Sequence, residues 1–197
     1  MSTWAIVLVK DFGTAKQRLG PALDPRARRA LARRNAERAI RASAAADHRV
    51  VVAGSDEAGR LASRLGADFI LEPRQEGQNA AARRGISHAV EQGAAAVLLL
   101  SSDLPFVNRK SVRLLLEAAA QESGPLAMAV PAIGRGGTNA LYLRPPEVIG
   151  LHFGGDSLAS FGRDAAARGV SFVIHPSAEM ALDLDEPPDL AHLRRAV

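Results

Sequence analysis

Cysteine is absent from the 197-residue chain, which excludes a fold built on disulfides or thiolate zinc sites and suits a reducing cytoplasm. Aromatic residues are scarce, at 4% of the chain. None of them lies in the arginine-rich stretch from Pro25 to Ala45, so that stretch lacks the stacking groups of a nucleic-acid surface. It reads instead as the solvated face of a helix. An excess of one charge is missing as well: 25 basic residues, mostly Arg, face 21 acidic ones. No apolar run reaches the roughly 18 residues of a membrane span. The opening segment from Met1 to Val9 has no basic leader and is broken by Lys10-Asp11, so no signal peptide is predicted and a cytoplasmic location is expected. The common nucleotide and nucleophile signatures are missing too: no GxxxxGK[ST], no GxGxxG after a strand, and no GxSxG. The five histidines, His48, His88, His152, His175 and His192, are scattered without metal-ligand spacing.

What the chain does have is a regular alternation of strand and helix patterns. Strands are expected at Trp4 to Val9, Arg49 to Ala53, Asp68 to Leu71, Ala95 to Leu100, Leu126 to Val130, Asn139 to Leu143 and Ser171 to His175. Helices are expected at Pro25 to Ala45 behind an Asp24 cap, Asp56 to Leu65, Asn79 to Gln92, from Asn108 to about Gln121, and near Ser157 to Arg168. Such alternation predicts an α/β fold, an open and mostly parallel sheet with helices on both faces, in a single domain over residues 1–197.

In folds of that kind ligands sit beyond the carboxyl ends of the strands. The most apolar run, Ala94 to Leu100, ends there on Ser101-Ser102-Asp103. A carboxylate at that position can hold a divalent metal beside a phosphate, or serve as a turn residue ahead of Pro105. A second acidic group follows near the C-terminus, in Leu182-Asp183-Leu184-Asp185-Glu186-Pro187. Alternation in an extended segment turns Asp183 and Asp185 to one side and Leu182 and Leu184 to the core. Two like charges so close call for a cation between them, and magnesium, which accepts a few carboxylates and phosphate oxygens, is the economical one. An exposed strand edge guarded by charge is the other reading.

Opposite charge comes from the loop after the first strand, where Lys10, Lys16 and Arg18 are placed to meet a triphosphate. Two glycine-rich stretches, Gly134 to Asn139 and Phe153 to Ser157, would let backbone N–H groups approach an anion, the second at a helix start. Either could instead be a tight turn.

Six segments in order, covering nearly the whole chain, resemble the family of 2-phospho-L-lactate guanylyltransferases. They are Lys10 with Ala15-Lys16-Gln17-Arg18-Leu19, the spacing from Glu72 to Asn79, Asp103-Leu104-Pro105, Gly137-Thr138-Asn139-Ala140-Leu141, Phe153-Gly154-Gly155-Asp156-Ser157, and Asp183 to Leu190. The resemblance implies a nucleotide-diphospho-sugar-transferase-like, Rossmann-like three-layer sandwich and a role in biosynthesis of coenzyme F-420. It implies transfer of GMP from GTP to a small phospho-acid, namely 2-phospho-L-lactate, phosphoenolpyruvate or 3-phosphoglycerate, with release of pyrophosphate. It further implies magnesium on Asp103, Asp183 and Asp185, and the acceptor's phosphate on Thr138, Gly154 and Ser157, with Asn139 nearby. Lys10, Lys16 and Arg18 would meet the GTP phosphates, with Lys10, Lys16 and Asp103 carrying catalysis, and Asn79 would lie near the nucleoside. The product is expected to be unstable, which makes the next transferase of the pathway an expected partner. Departures from the family pattern are Gln78 in place of Leu, Leu8 in place of Pro and Phe161 in place of His, the last bearing on acceptor identity.

Two other functions fit parts of the pattern. A molybdenum-cofactor or sugar nucleotidyltransferase would share the fold, but its glycine-rich opening loop is missing from Val7 to Phe12. A nucleotide-binding regulator without catalysis would have little use for three separated aspartates.

Overall fold

The computed structural model describes residues 2–72 and 74–195. Seven strands form one sheet: β1 (Thr3–Val9), β2 (His48–Ala53), β3 (Asp68–Leu71), β4 (Ala96–Ser101), β5 (Leu126–Pro131), β6 (Thr138–Arg144) and β7 (Ser171–Ile174), in the order β3-β2-β1-β4-β6-β5-β7. Every neighbouring pair is parallel except the two that involve β6. The central strands β1 and β4 are buried on both faces, which is why they read as continuous apolar runs.

Helices cover both faces. Side chains of α1 (Pro25–Ala42), α2 (Asp56–Arg64) and α4 (Arg109–Gln121) pack with Val7, Val9, Leu98 and Leu100 in one core. Those of α3 (Gln78–Glu91) and α5 (Ser157–Ala167) pack with Ile6, Leu8, Val97 and Leu99 in the other. A Cβ on Gly85 of α3 would come 2.4 Å from Ile6 Cγ2, so glycine lets this helix lie directly on β1. Asp24 caps α1 by accepting from Ala27 N–H at 2.8 Å, and Asn108 caps α4 in a capping box with Ser111.

The expected elements are present with ends shifted by a few residues. The Pro25 to Ala45 stretch divides into α1 and a 3-10 turn at Ser43–Ala45. Two short helices, α6 (Ala178–Ala181) and α7 (Asp189–Arg195), are additional. The reversal at β6 is the departure that matters. Residues 132–137 are too few for a crossover, so β5 and β6 form a hairpin. Reversal brings the first residues of β6, Thr138 and Asn139, to the edge where β1 and β4 end. Among the described residues no helix is long and apolar enough to cross a membrane.

Candidate active site

At that edge lies a cavity of about 640 Å³, lined among others by Lys10, Lys16, Arg18, Gln78, Asp103, Arg135, Thr138, Asn139, Gly154, Ser157, Asp183 and Asp185. Loops from β1, β4 and β6, the start of α5 and the 182–186 segment thus converge on one space.

Asp103 is its centre. The apolar run of β4 carries it to the edge, where Lys16 Nζ meets its Oδ1 at 2.7 Å. Its backbone carbonyl accepts from Leu184 N–H at 3.2 Å and from the buried Asn35 amide of α1 at 3.4 Å. Lys16 is therefore no loose surface cation: its side chain is 2% exposed and also donates to the Leu184 carbonyl. Its backbone is left-handed, with φ 61°. Together these contacts fasten Asp103 to the C-terminal acidic segment 80 residues further on.

Alternation in that segment is as expected. Leu184 is buried against Leu19 and Leu31, with Leu182 packed beside it, while Asp183 and Asp185 face the cavity. The three aspartates do not close on one another, and among the described residues no three acidic or histidine side chains form a ready metal cage. Each holds its own cation instead: Asp103 has Lys16, Asp183 has Arg135 Nη1 at 3.1 Å, and Asp185 has Arg18 Nη1 at 2.9 Å. Burial pushes the Asp183 carboxyl above its usual range; Arg135 opposes the shift and the Asp103 charge adds to it.

Arg135 and Asp189 were not anticipated. Arg135 also grips Asp189, which accepts the backbone N–H groups of Asp185 and Glu186 at 2.8 and 2.7 Å. Burial works against ionisation of Asp189, yet Arg135 and those two N–H groups hold its carboxyl below the usual range. A lone arginine among three glycines, and an acid opening the last helix, were the available signals.

The opposite wall is neutral. Ser157 is buried and donates its hydroxyl to Thr138 Oγ1 at 3.1 Å. Gly154, at φ 137°, has nothing within 4 Å of where a Cβ would be, so its backbone is open to a ligand. The start of α5 is less free than expected, since Leu158 N–H already donates to the Gly136 carbonyl at 3.0 Å. Asn139 spends its amide donors on the carbonyls of Met180 and Ala181, which anchors the chain entering the acidic segment. Asn79 is likewise committed. Its Nδ2 donates to the Phe153 carbonyl at 3.0 Å and its Oδ1 accepts Phe153 N–H at 2.9 Å, so it clamps the 153–157 loop. On the other side of that loop, Asp164 of α5 accepts from Gly150 N–H, His152 and Arg168. Phe161 lies beneath it, fully buried and edge-on to Phe153 at 5.2 Å. That departure therefore touches the 153–157 loop through Phe153, whereas Gln78 and Leu8 line a neighbouring cleft directly.

Residues 3–194 match the family model described as guanylyl transferase CofC like. The chain belongs to that family. A relative in Rubrobacter xylanophilus named phosphoenolpyruvate guanylyltransferase is 40% identical over 98% of this chain and 94% of its own. One in Methanothermobacter thermautotrophicus named 2-phospho-L-lactate guanylyltransferase is 31% identical over 98% and 84%. The crystal structure of a Desulfovibrio desulfuricans protein named for nucleotide-diphospho-sugar transfer superposes with a TM-score of 0.78, at 23% identity, over 100% of this chain and 88% of that one. Family membership makes this chain a nucleotidyltransferase enzyme and the sheet a member of that fold.

Nucleotidyltransferases of this kind generally use a divalent metal. The donor set here suits a hard one. Asp103 and Asp183 offer only oxygen, line one cavity and feel each other's charge. Magnesium needs only one or two carboxylates when phosphate oxygens and water complete its shell.

Proposed function

We propose that this single domain transfers GMP from GTP to the phosphate of a small phospho-acid, and that the reaction belongs to coenzyme F-420 biosynthesis. The observation that carries the reading is the division of one cavity into two unlike walls: ion-paired aspartates with Lys10, Lys16 and Arg18 on one side, and the neutral cradle of Thr138, Gly154 and Ser157 on the other. A triphosphate suits the first wall and a single phosphate the second.

An acceptor phosphate oxygen attacks the α-phosphorus of GTP in line. The new P–O bond forms as the bond to the β-phosphate oxygen breaks, and pyrophosphate leaves with its electron pair. The acceptor oxygen is already an anion, so no general base is needed and the task is to align two repelling anions. Lys10 and Arg18 are exposed enough to draw in the triphosphate, and Lys16 holds Asp103 in place at the β4 edge. Asp103 and Asp183 would hold a magnesium ion, with Asp185 beside them. That ion supplies neutralisation of phosphate charge. Gly154 N–H and the Ser157 and Thr138 hydroxyls would receive the acceptor phosphate.

Phosphoenolpyruvate, 2-phospho-L-lactate and 3-phosphoglycerate all present one phosphate and one carboxylate to this wall. The test is to incubate the protein with each acid, each of the four nucleoside triphosphates and magnesium, and to identify products by mass. Trapping with the next transferase of the pathway will preserve an unstable product. A guanosine diphosphate diester of one acid is expected, and pyrophosphate release without any acid would contradict the reading.

A further inference from the structure

Beside the phosphate cavity is the narrower cleft that Leu8 and Gln78 line. Both spaces share Lys10, Gln78, Ser101 and Asp103, so a nucleotide with its phosphates in the first can extend its base into the second. Leu8, Val9 and Ala81 give the cleft its apolar walls, fit for the faces of a flat ring. Glu72 supplies the one carboxylate on its lining apart from Asp103. It lies one residue past β3, where its backbone N–H still pairs with the Ala53 carbonyl at 2.9 Å, so its position is fixed by the sheet. Among the described residues its carboxylate makes no hydrogen bond or ion pair. Burial pushes that carboxyl above its usual range, opposed by the Arg84 charge and aided by Glu76, as befits an acceptor awaiting donors.

The chemistry of bases then decides the partner. Guanine alone among the common bases carries two adjacent donors on one edge, N1–H and the N2 amino group, which match the two oxygens of a carboxylate. Adenine and cytosine turn a ring-nitrogen acceptor to the same place, and uracil flanks its one N–H with two carbonyls. We propose that Glu72 is the residue that selects guanine, its carboxylate accepting both N1–H and N2–H of a base held between Leu8 and Ala81. This rests on the GTP-dependent transfer proposed above and names the residue behind its base preference.

Inosine triphosphate, which lacks only the 2-amino group, isolates the contact. Pyrophosphate release from GTP and from ITP, with saturating phospho-acid and magnesium, gives a kcat/KM ratio for each variant. In the unmodified protein GTP is expected to lead by about tenfold or more, the usual worth of a hydrogen bond to a charged group. In Glu72→Ala the ratio is expected to fall to about threefold or less, with the acceptor KM unchanged. The shape-conserving Glu72→Gln turns an amide N–H toward the 2-position, so xanthosine triphosphate, with a carbonyl there, is expected to gain at least tenfold relative to GTP. A Glu72→Ala protein that keeps the original GTP:ITP ratio, or a Glu72→Gln protein with an unchanged GTP:XTP ratio, overturns the assignment. Absence of GTP-dependent release from the unmodified protein with all three acids would instead overturn the proposed transfer itself.

Discussion

The two segments that face each other across the cavity are held in opposite ways. Residues 182–189 are fastened by ions: Lys16 to Asp103 and the Leu184 carbonyl, Arg135 to Asp183 and Asp189, Arg18 to Asp185. Residues 150–157 are fastened from outside the cavity, by the neutral Asn79 amide at Phe153 and by the Asp164 hub at Gly150 and His152. The difference bears on what each wall does when ligands arrive. Ionic partners on the first wall compete with phosphates and cations, so they can exchange. The second wall keeps its bonds and offers a preformed neutral surface, so little ordering would remain for the acceptor proposed to bind there.

The largest effects are expected where the ionic wall loses charge. Asp103→Asn and Asp183→Asn should each lower pyrophosphate release by about 100-fold or more, because each removes a group proposed to hold a cation against the phosphates. Thermal melting beside the activity assay checks that the fold persists. Near-normal turnover would mean that these aspartates only tie the C-terminal segment down.

A smaller and more selective effect is expected on the neutral wall. Asn79→Ala leaves the Phe153 N–H and carbonyl without their partner, at about 1–2 kcal/mol. It should raise the acceptor KM by about tenfold while the GTP KM changes little, as measured by varying one substrate with the other saturating. An equal rise in both would place Asn79 at the nucleotide and erase the contrast between the walls.

The contrast also shows what was legible in the sequence. Apolar runs marked the strands, and the capping residues Asp24 and Asn108 marked helix starts, because burial periodicity and capping are local. The direction of β6 was not legible, since an apolar strand reads the same whichever way it runs; only the short 132–137 connection hinted at it. Residue type pointed to Asp103 and to the Asp183 and Asp185 pair, the family resemblance joined them as a group, and all three line one cavity. Residue type could not reveal the role of Asn79, whose partner is a backbone 74 positions away, nor that of Arg135, whose partners lie 48 and 54 positions on. Such pairings depend on the closed topology, not on any neighbour in sequence.

The smallest effect concerns acid stability behind the neutral wall. Hydrogen bonds from Arg168 and His152, with Gly150 N–H helping and burial opposing, lower the Asp164 carboxyl from 3.8 to about 2. A depressed folded-state value stabilises the fold above the unfolded one, so this contribution is complete above about pH 4 and disappears as pH falls toward 2. Allowing for solvent screening, Asp164→Asn should cost roughly 1 kcal/mol at pH 7 and nothing near pH 2. Paired melting curves across that range check it, and a pH-independent difference would remove the ionic explanation.

The central claim is that Asp103 and Asp183, 80 residues apart in sequence, act as one charged centre in the transfer. The most direct measurement is magnesium-dependent pyrophosphate release from GTP and the accepted phospho-acid for Asp103→Asn, Asp183→Asn and the double variant. Groups acting as one unit lose nearly everything with the first deletion, so the double variant should be within about threefold of the weaker single one. Losses that multiply, with the double variant reduced by the product of the two single effects, would contradict a shared centre.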